Sequence, residues 1–234
     1  MKIILCNLGR TIIEFNFIIK NNPQNINNLK LKIMETIIGI ISGILVFLSG
    51  LIYWIRIYQK KITPNLVTWI IWTLMGLAIL LSYKSSGAKE NVWPAISGAI
   101  NPFLIVIIAL FRKHKTSFSF IDFICGVLGF LSILLWSVTQ KNPDKVQYAL
   151  YIALVADLLA IIPTIIWVMK NPWEDRPAMW ILFSLGYGLG IFAITEQTFT
   201  NYFLPVWMIL MPSLVWIPLV KYRLKNRIPI REWI

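Results

Sequence analysis

Two polar side chains lie deep inside apolar stretches of the chain, where they could contact a solute. Asn101 stands beside Pro102 in "WPAISGAINPF", and Asp157 is the only acid deep within an apolar run. A polar side chain in hydrocarbon is costly unless it is bonded, and Pro102 also removes a backbone N–H from its helix. Asn101 is therefore interpreted as a substrate-binding amide or as an amide that caps carbonyl groups freed by the proline.

Asp157 also allows two interpretations. Ionisable residues near the membrane midplane are typical of ion and proton pathways, which predicts a proton or cation coupling site. The alternative is a carboxylic acid that stays neutral and hydrogen-bonds a neighbouring side chain.

Aromatic side chains could stack on a ring-shaped solute. Trp72 and Trp180 are the tryptophan candidates, although tryptophan also anchors proteins at the membrane interface. Tyr187 lies between Gly186 and Gly188, which could expose the backbone or allow close helix packing. The sequence contains no arrangement of nucleophile and base, no metal-ligand cluster and no phosphate-binding glycine loop, so it predicts no enzyme activity, no metal and no cofactor.

The elements that carry these residues are apolar segments of membrane-spanning length. The chain has 234 residues, of which 58% are hydrophobic and only 14% charged, whereas soluble domains are about a quarter charged. A span needs about 20 apolar residues, and it must be helical because its backbone polar groups find no water. Seven segments qualify: 36–55, 62–83, 91–111, 118–138, 146–169, 177–195 and 199–220.

Positive charges predict the orientation of these spans. The net charge of +12 comes from cations between the apolar runs, which favours membrane orientation over nucleic-acid binding. The segments after spans one, three and five and the C-terminal tail hold 13 Lys and Arg residues, against four after spans two, four and six. The sequence therefore predicts a bacterial-type inner-membrane protein with its N-terminus outside and its C-terminus in the cytoplasm.

Residues 1–33 differ from the spans. They are rich in Asn, Lys and Ile without clear periodicity, and they carry five cations that conflict with an external N-terminus. This segment is predicted to be a disordered extension, or a misassigned start that precedes the true one at Met34.

Similar residues also recur along the chain at a nearly constant offset, which indicates an internal repeat. A shift of 110 residues pairs Asn91 with Asn201 and Pro102 with Pro212, and a shift of 111 pairs Trp69 with Trp180. We therefore predict two three-helix repeats with a linker helix, an all-α 3+1+3 arrangement. The predicted domains are a first repeat at 34–116, the linker at 117–140, a second repeat at 141–222 and a basic tail at 223–234. Such repeats place a solute site at their interface, near the bilayer midplane.

This arrangement, with prolines flanking the cytoplasmic turns, resembles the PQ-loop superfamily of small seven-helix transporters and its sugar-transporting SWEET branch. The resemblance implies passage of a small, sugar-like polar solute by alternating access, with helix prolines as hinges. Pro163 matches the first-helix proline of repeat two, and Pro64 and Pro177 match the second-helix prolines. Pro102 and Pro212 complete the predicted hinges.

Two related families supply the alternatives. The chain is also similar to the bacterial nicotinamide riboside uptake family in its helix plan and its 11 tryptophans, which implies a vitamin or nucleoside facilitator. The KDEL-receptor branch of the PQ-loop fold implies a receptor or sensor without flux. In each case the expected partners are a small solute and the lipid bilayer, and a homo-oligomer is compatible with the sequence.

Overall fold

Seven α-helices form the protein in the computed structural model, which describes residues 23–233. No β-strand occurs within those residues. Short loops and two 3-10 turns join the helices, and a third 3-10 turn (Ile230–Glu232) follows the last helix. The helices are α1 (Pro23–Tyr58), α2 (Leu66–Ser85), α3 (Trp93–Leu110), α4 (Phe120–Thr139), α5 (Pro143–Lys170), α6 (Pro177–Gly190) and α7 (Phe199–Lys225).

Six of these helices are long and apolar enough to cross a membrane, which makes the chain a multi-pass membrane protein. The exception is α6, which has 14 residues and continues as a 3-10 turn over Ile191–Ala193. Sequence reasoning predicted a full span over 177–195. The helix is shorter because glycines lower helix propensity near its end and the backbone becomes extended at Ile194.

The outer surface of the bundle is apolar. On α4, Phe123, Phe130 and Val138 are 54%, 56% and 80% exposed, respectively. Large apolar patches of this kind are rare on soluble monomers, whereas lipid tails solvate them well. The pattern therefore fits a helix whose outer face contacts lipid.

The first helix begins earlier than the sequence predicted. It starts at Pro23, so residues 23–33, assigned to the disordered extension, continue the first span as a helix. Residues 1–22, which include Cys6, lie outside the described residues.

Side-chain caps fix three helix starts. The hydroxyl of Ser119 accepts a hydrogen bond from the backbone N–H of Asp122, whose carboxylate accepts from the N–H of Ser119, closing a capping box. The side-chain oxygens of Asn142 and Thr198 cap α5 and α7 by accepting hydrogen bonds from the backbone N–H groups of Lys145 and Asn201, respectively. Each cap satisfies an N–H that would otherwise lack a partner inside its helix.

The helices pack in a closed order around the bundle. Helix α3 contacts both α1 and α2, and α7 contacts both α5 and α6. The two groups meet where α1 contacts α6 and where α2 contacts α5, while α4 lies outside against α2 and α5. The bundle interior is thus bordered by helices from both halves of the chain.

Candidate functional site

A cavity of about 710 Å³ lies inside the bundle and is lined by residues of all seven helices. It begins among side chains in the middle of the helices, such as Met75 and Tyr187. It extends to residues of the loops that follow α1, α3 and α5, including Asn65, Ser117 and Glu174. Its volume is within the range of small-molecule sites.

Asn101 lines the cavity from α3 and is held by α1. Its Nδ2 atom donates to the carbonyl oxygen of Val46 at 2.8 Å, and the side chain packs directly against Gly50, where any Cβ would clash with the amide. The residue is only 6% exposed, and its Oδ1 atom has no hydrogen-bond partner among the described residues. The amide thus joins α3 to α1, with its Oδ1 atom buried against Gly50, in a residue that lines the cavity.

Aromatic rings line much of the cavity. Trp72 packs against Trp69 with ring centroids 5.7 Å apart, and its indole N–H has no acceptor within the described chain. Tyr187 packs against Phe183 at 5.0 Å. Its hydroxyl faces Gly98, where a Cβ would lie 2.8 Å from the oxygen. These rings offer π faces to a solute in the cavity.

Asp157 lines the cavity from α5 and is bound by a residue of α7. Its Oδ2 atom accepts a hydrogen bond of 3.1 Å from the indole N–H of Trp207. Trp207 is neutral, so it orients the carboxyl group without balancing a negative charge. No cation of the described residues forms an ion pair with Asp157.

Trp180 lies at the loop end of the cavity rather than beside Asp157. Its indole N–H donates to Oδ2 of Asp175 at 3.0 Å. The same loop is held by the fully buried Arg223, which donates to the carbonyl oxygens of Pro172, at 3.0 Å, and of Asp175. Helix α7 therefore fixes the loop that carries the mouth of the cavity.

The predicted hinge prolines fall into two groups. Pro102, Pro163 and Pro212 lie inside α3, α5 and α7, and all three line the cavity. Pro64 precedes α2, and Pro177 is the first residue of α6. A proline at or before the first helical turn costs little and does not kink its helix.

Polar side chains close the opposite end of the bundle. The hydroxyl of Tyr83 donates to the carbonyl oxygen of Asn201 at 3.0 Å, and it accepts from Nδ2 of Asn91 at 2.5 Å. Outside this network, Lys89 and Glu196 form an ion pair with a 2.7 Å N–O distance. The hydrogen bond from Lys89 to Glu196, together with the negative charge of that carboxylate, raises the pKa of Lys89.

Several of these contacts were not predicted from the sequence. Trp207 lies 50 residues from Asp157, and no local pattern signals their contact. The pairing of Glu196 with Lys89 depends on a turn that the sequence does not predict. The sequence did single out Asn91 and Asn201, through their offset of 110 residues. In the structure both contact the hydroxyl of Tyr83, Asn91 through its amide and Asn201 through its carbonyl oxygen.

Within the described part of the chain, no three His, Cys, Asp or Glu residues are grouped so that they could hold a metal ion. Cys125 is a buried free thiol that donates to the carbonyl oxygen of Ala156 at 3.4 Å.

Comparisons of the chain with protein-family models, with curated proteins and with solved structures give no match.

Proposed function

We propose that the protein carries a small polar solute across the membrane by alternating access between two three-helix repeats. The observation that carries this proposal is the cavity, which both halves of the chain line and which reaches one end of the bundle while polar contacts close the other. An alternating-access carrier that is open to one side of the membrane and closed to the other has this asymmetry.

The packing order supports a 3+1+3 arrangement. Each set of contacts in the first half has an equivalent in the second, because α3 lies against α1 and α2 as α7 lies against α5 and α6. The contact of α1 with α6 likewise corresponds to that of α5 with α2. Related repeats with a solute site between them are common in transporters, and this likeness to the PQ-loop plan is the reason for proposing their mechanism.

The distribution of Lys and Arg residues supports one orientation of the protein in the membrane. The cavity reaches the α1–α2, α3–α4 and α5–α6 loops, which hold the excess of Lys and Arg. The positive-inside rule supports a cytoplasmic location for these loops, and we therefore propose that the cavity opens to the inside. The Lys89–Glu196 pair then lies at the outer end.

The interior acid and amide have distinct roles in this proposal. Asn101 and the rings of Trp72 and Tyr187 contact the solute. Asp157 is the ionisable group that can couple solute movement to a cation or proton. The internal prolines supply flexible points in three cavity-lining helices.

The test is uptake into liposomes that contain the purified protein. Labelled sugars, amino acids and nicotinamide riboside are offered in turn, with protein-free liposomes and liposomes holding heat-denatured protein as controls. The proposal predicts saturable uptake of at least one class. Folded protein that binds a solute but supports no uptake would instead establish a receptor.

A further inference from the structure

Four acids and no base stand among the described residues that line the cavity, in a chain with 22 Lys and Arg against 10 Asp and Glu. The acids are Asp122, Asp157, Glu174 and Asp175. Most charged residues of the chain are basic, yet no basic residue is among those that line the cavity. The side chains that line the cavity therefore include acids but no cation of the described chain.

Asp157 holds the deepest of these charges. Asp122 is occupied by its helix cap, and Asp175 adjoins Arg176 and receives a hydrogen bond on its carbonyl from Arg223, so charges of both signs meet at the mouth. Asp157 lies in the middle of α5 with only the neutral indole of Trp207 as partner. A carboxylate in a low-dielectric site is costly unless a cation pairs with it.

The neighbouring groups complement a cation rather than an anion. The Oδ1 atom of Asn101 is an acceptor without a partner, and Nδ2 of the same amide is already bound to Val46. Trp72 and Tyr187 line the same cavity, and aromatic rings attract positive charge through their π electrons. The middle of the cavity thus combines a carboxyl group with aromatic rings.

We propose that the cavity binds a small organic cation, with Asp157 as its counter-charge and the rings of Trp72 and Tyr187 around its positive group. This inference rests on the proposed function and narrows it from a polar solute to a positively charged one.

Isothermal titration calorimetry on the purified full chain in detergent tests the charge requirement. The probes are choline, benzyltrimethylammonium, and 3,3-dimethylbutan-1-ol, which has the shape of choline without its charge; glucose is a neutral polar control. The proposal predicts saturable binding of at least one of the two cations, with a Kd at least about 10-fold lower than that of the neutral isostere. An isostere that binds as tightly as choline would overturn it.

Variants then test the counter-charge. Asp157→Asn keeps the shape and the hydrogen bond from Trp207 and should raise the Kd of the cation at least about 10-fold. Asp157→Glu should restore part of the affinity because it restores the charge. The matched control is Asp144→Asn, the same change in the exposed first turn of α5, away from the cavity, which should leave the Kd unchanged.

The outcomes separate this inference from the proposed function. Saturable glucose or amino-acid uptake without binding of either cation would reject the cationic solute and leave the transporter intact. Wild-type cation affinity in folded Asp157→Asn protein would reject the counter-charge. Failure of every solute to bind or enter liposomes would reject both proposals together.

Discussion

At the scale of single residues, the interior polar groups have structural and binding roles that can be separated. Asn101 uses the nitrogen of its amide to join α3 to α1, while its oxygen is buried without a hydrogen-bond partner among the described residues. Sequence reasoning offered a binding amide or a cap for freed carbonyls as alternatives. In the structure the amide donates across helices, to a carbonyl of α1 rather than to its own helix, and it also borders the cavity.

Replacement of Asn101 by Ala should abolish solute uptake without unfolding the protein. The loss of one interhelical hydrogen bond in a membrane protein costs on average about 0.6 and at most about 1.7 kcal/mol, which the fold should tolerate. Uptake into liposomes and thermal unfolding in detergent measure the two effects.

Ser132→Ala is the matched control for this experiment. It removes the buried 2.6 Å hydrogen bond from Ser132 to the carbonyl of Ala149, which joins α4 to α5 away from the cavity. Its stability loss should be similar, with uptake retained. Normal uptake by folded Asn101→Ala protein would exclude Asn101 from the binding site.

At the scale of helices, small residues set the distance between the two halves. Gly186 on α6 faces α1 so closely that a Cβ would lie 2.6 Å from a methyl carbon of Val46 and 2.9 Å from the carbonyl oxygen of Ser42. Gly188 lies two positions further along α6, and a Cβ added there would contact only Ile209, at an ordinary distance of 3.6 Å. The contact between α1 and α6 therefore depends on one of these glycines.

Alanine at position 186 should separate α1 from α6 and lower the free energy of unfolding by about 1–3 kcal/mol, as overpacked interiors do. Alanine at position 188 should be neutral, or stabilising by up to about 1 kcal/mol through its higher helix propensity. Thermal unfolding of both variants in the same detergent gives the comparison. Equal melting temperatures would show that this packing does not limit the fold.

The helices themselves were largely predictable because hydrocarbon leaves the backbone few alternatives. Six predicted spans correspond to helices of spanning length, and the exceptions arise at ends. Helix α1 starts earlier because Pro23 is compatible with a first turn, and α6 ends early where glycines and an extended Ile194 terminate it. The site was only partly predictable: the sequence indicates which polar residues lie deep, whereas the partners Val46 and Trp207 depend on helix rotation that apolar sequence does not encode.

At the scale of the whole molecule, charge and cavity together predict which side each end faces. The loops at the cavity mouth and the C-terminal tail carry the excess of cations, so the C-terminus should face the cytoplasm. A green fluorescent protein fused after Ile234 should fluoresce in bacterial cells, and an alkaline phosphatase at the same point should be inactive. The reverse pattern would contradict a cytoplasmic C-terminus.

The central claim is that the closed end must open for solute to pass. Lys89 and Glu196, which meet across that end, can both be replaced by Cys in a background with Cys6→Ser and Cys125→Ser, and joined by a bis-methanethiosulfonate linker. Single-Cys proteins treated with the same reagent are the controls.

Saturable uptake into liposomes, measured before cross-linking, after it and after reduction, is the decisive measurement. The account predicts that cross-linking abolishes uptake and that reduction restores it, while the single-Cys proteins stay active throughout. Unchanged uptake in fully cross-linked protein would contradict alternating access through this end.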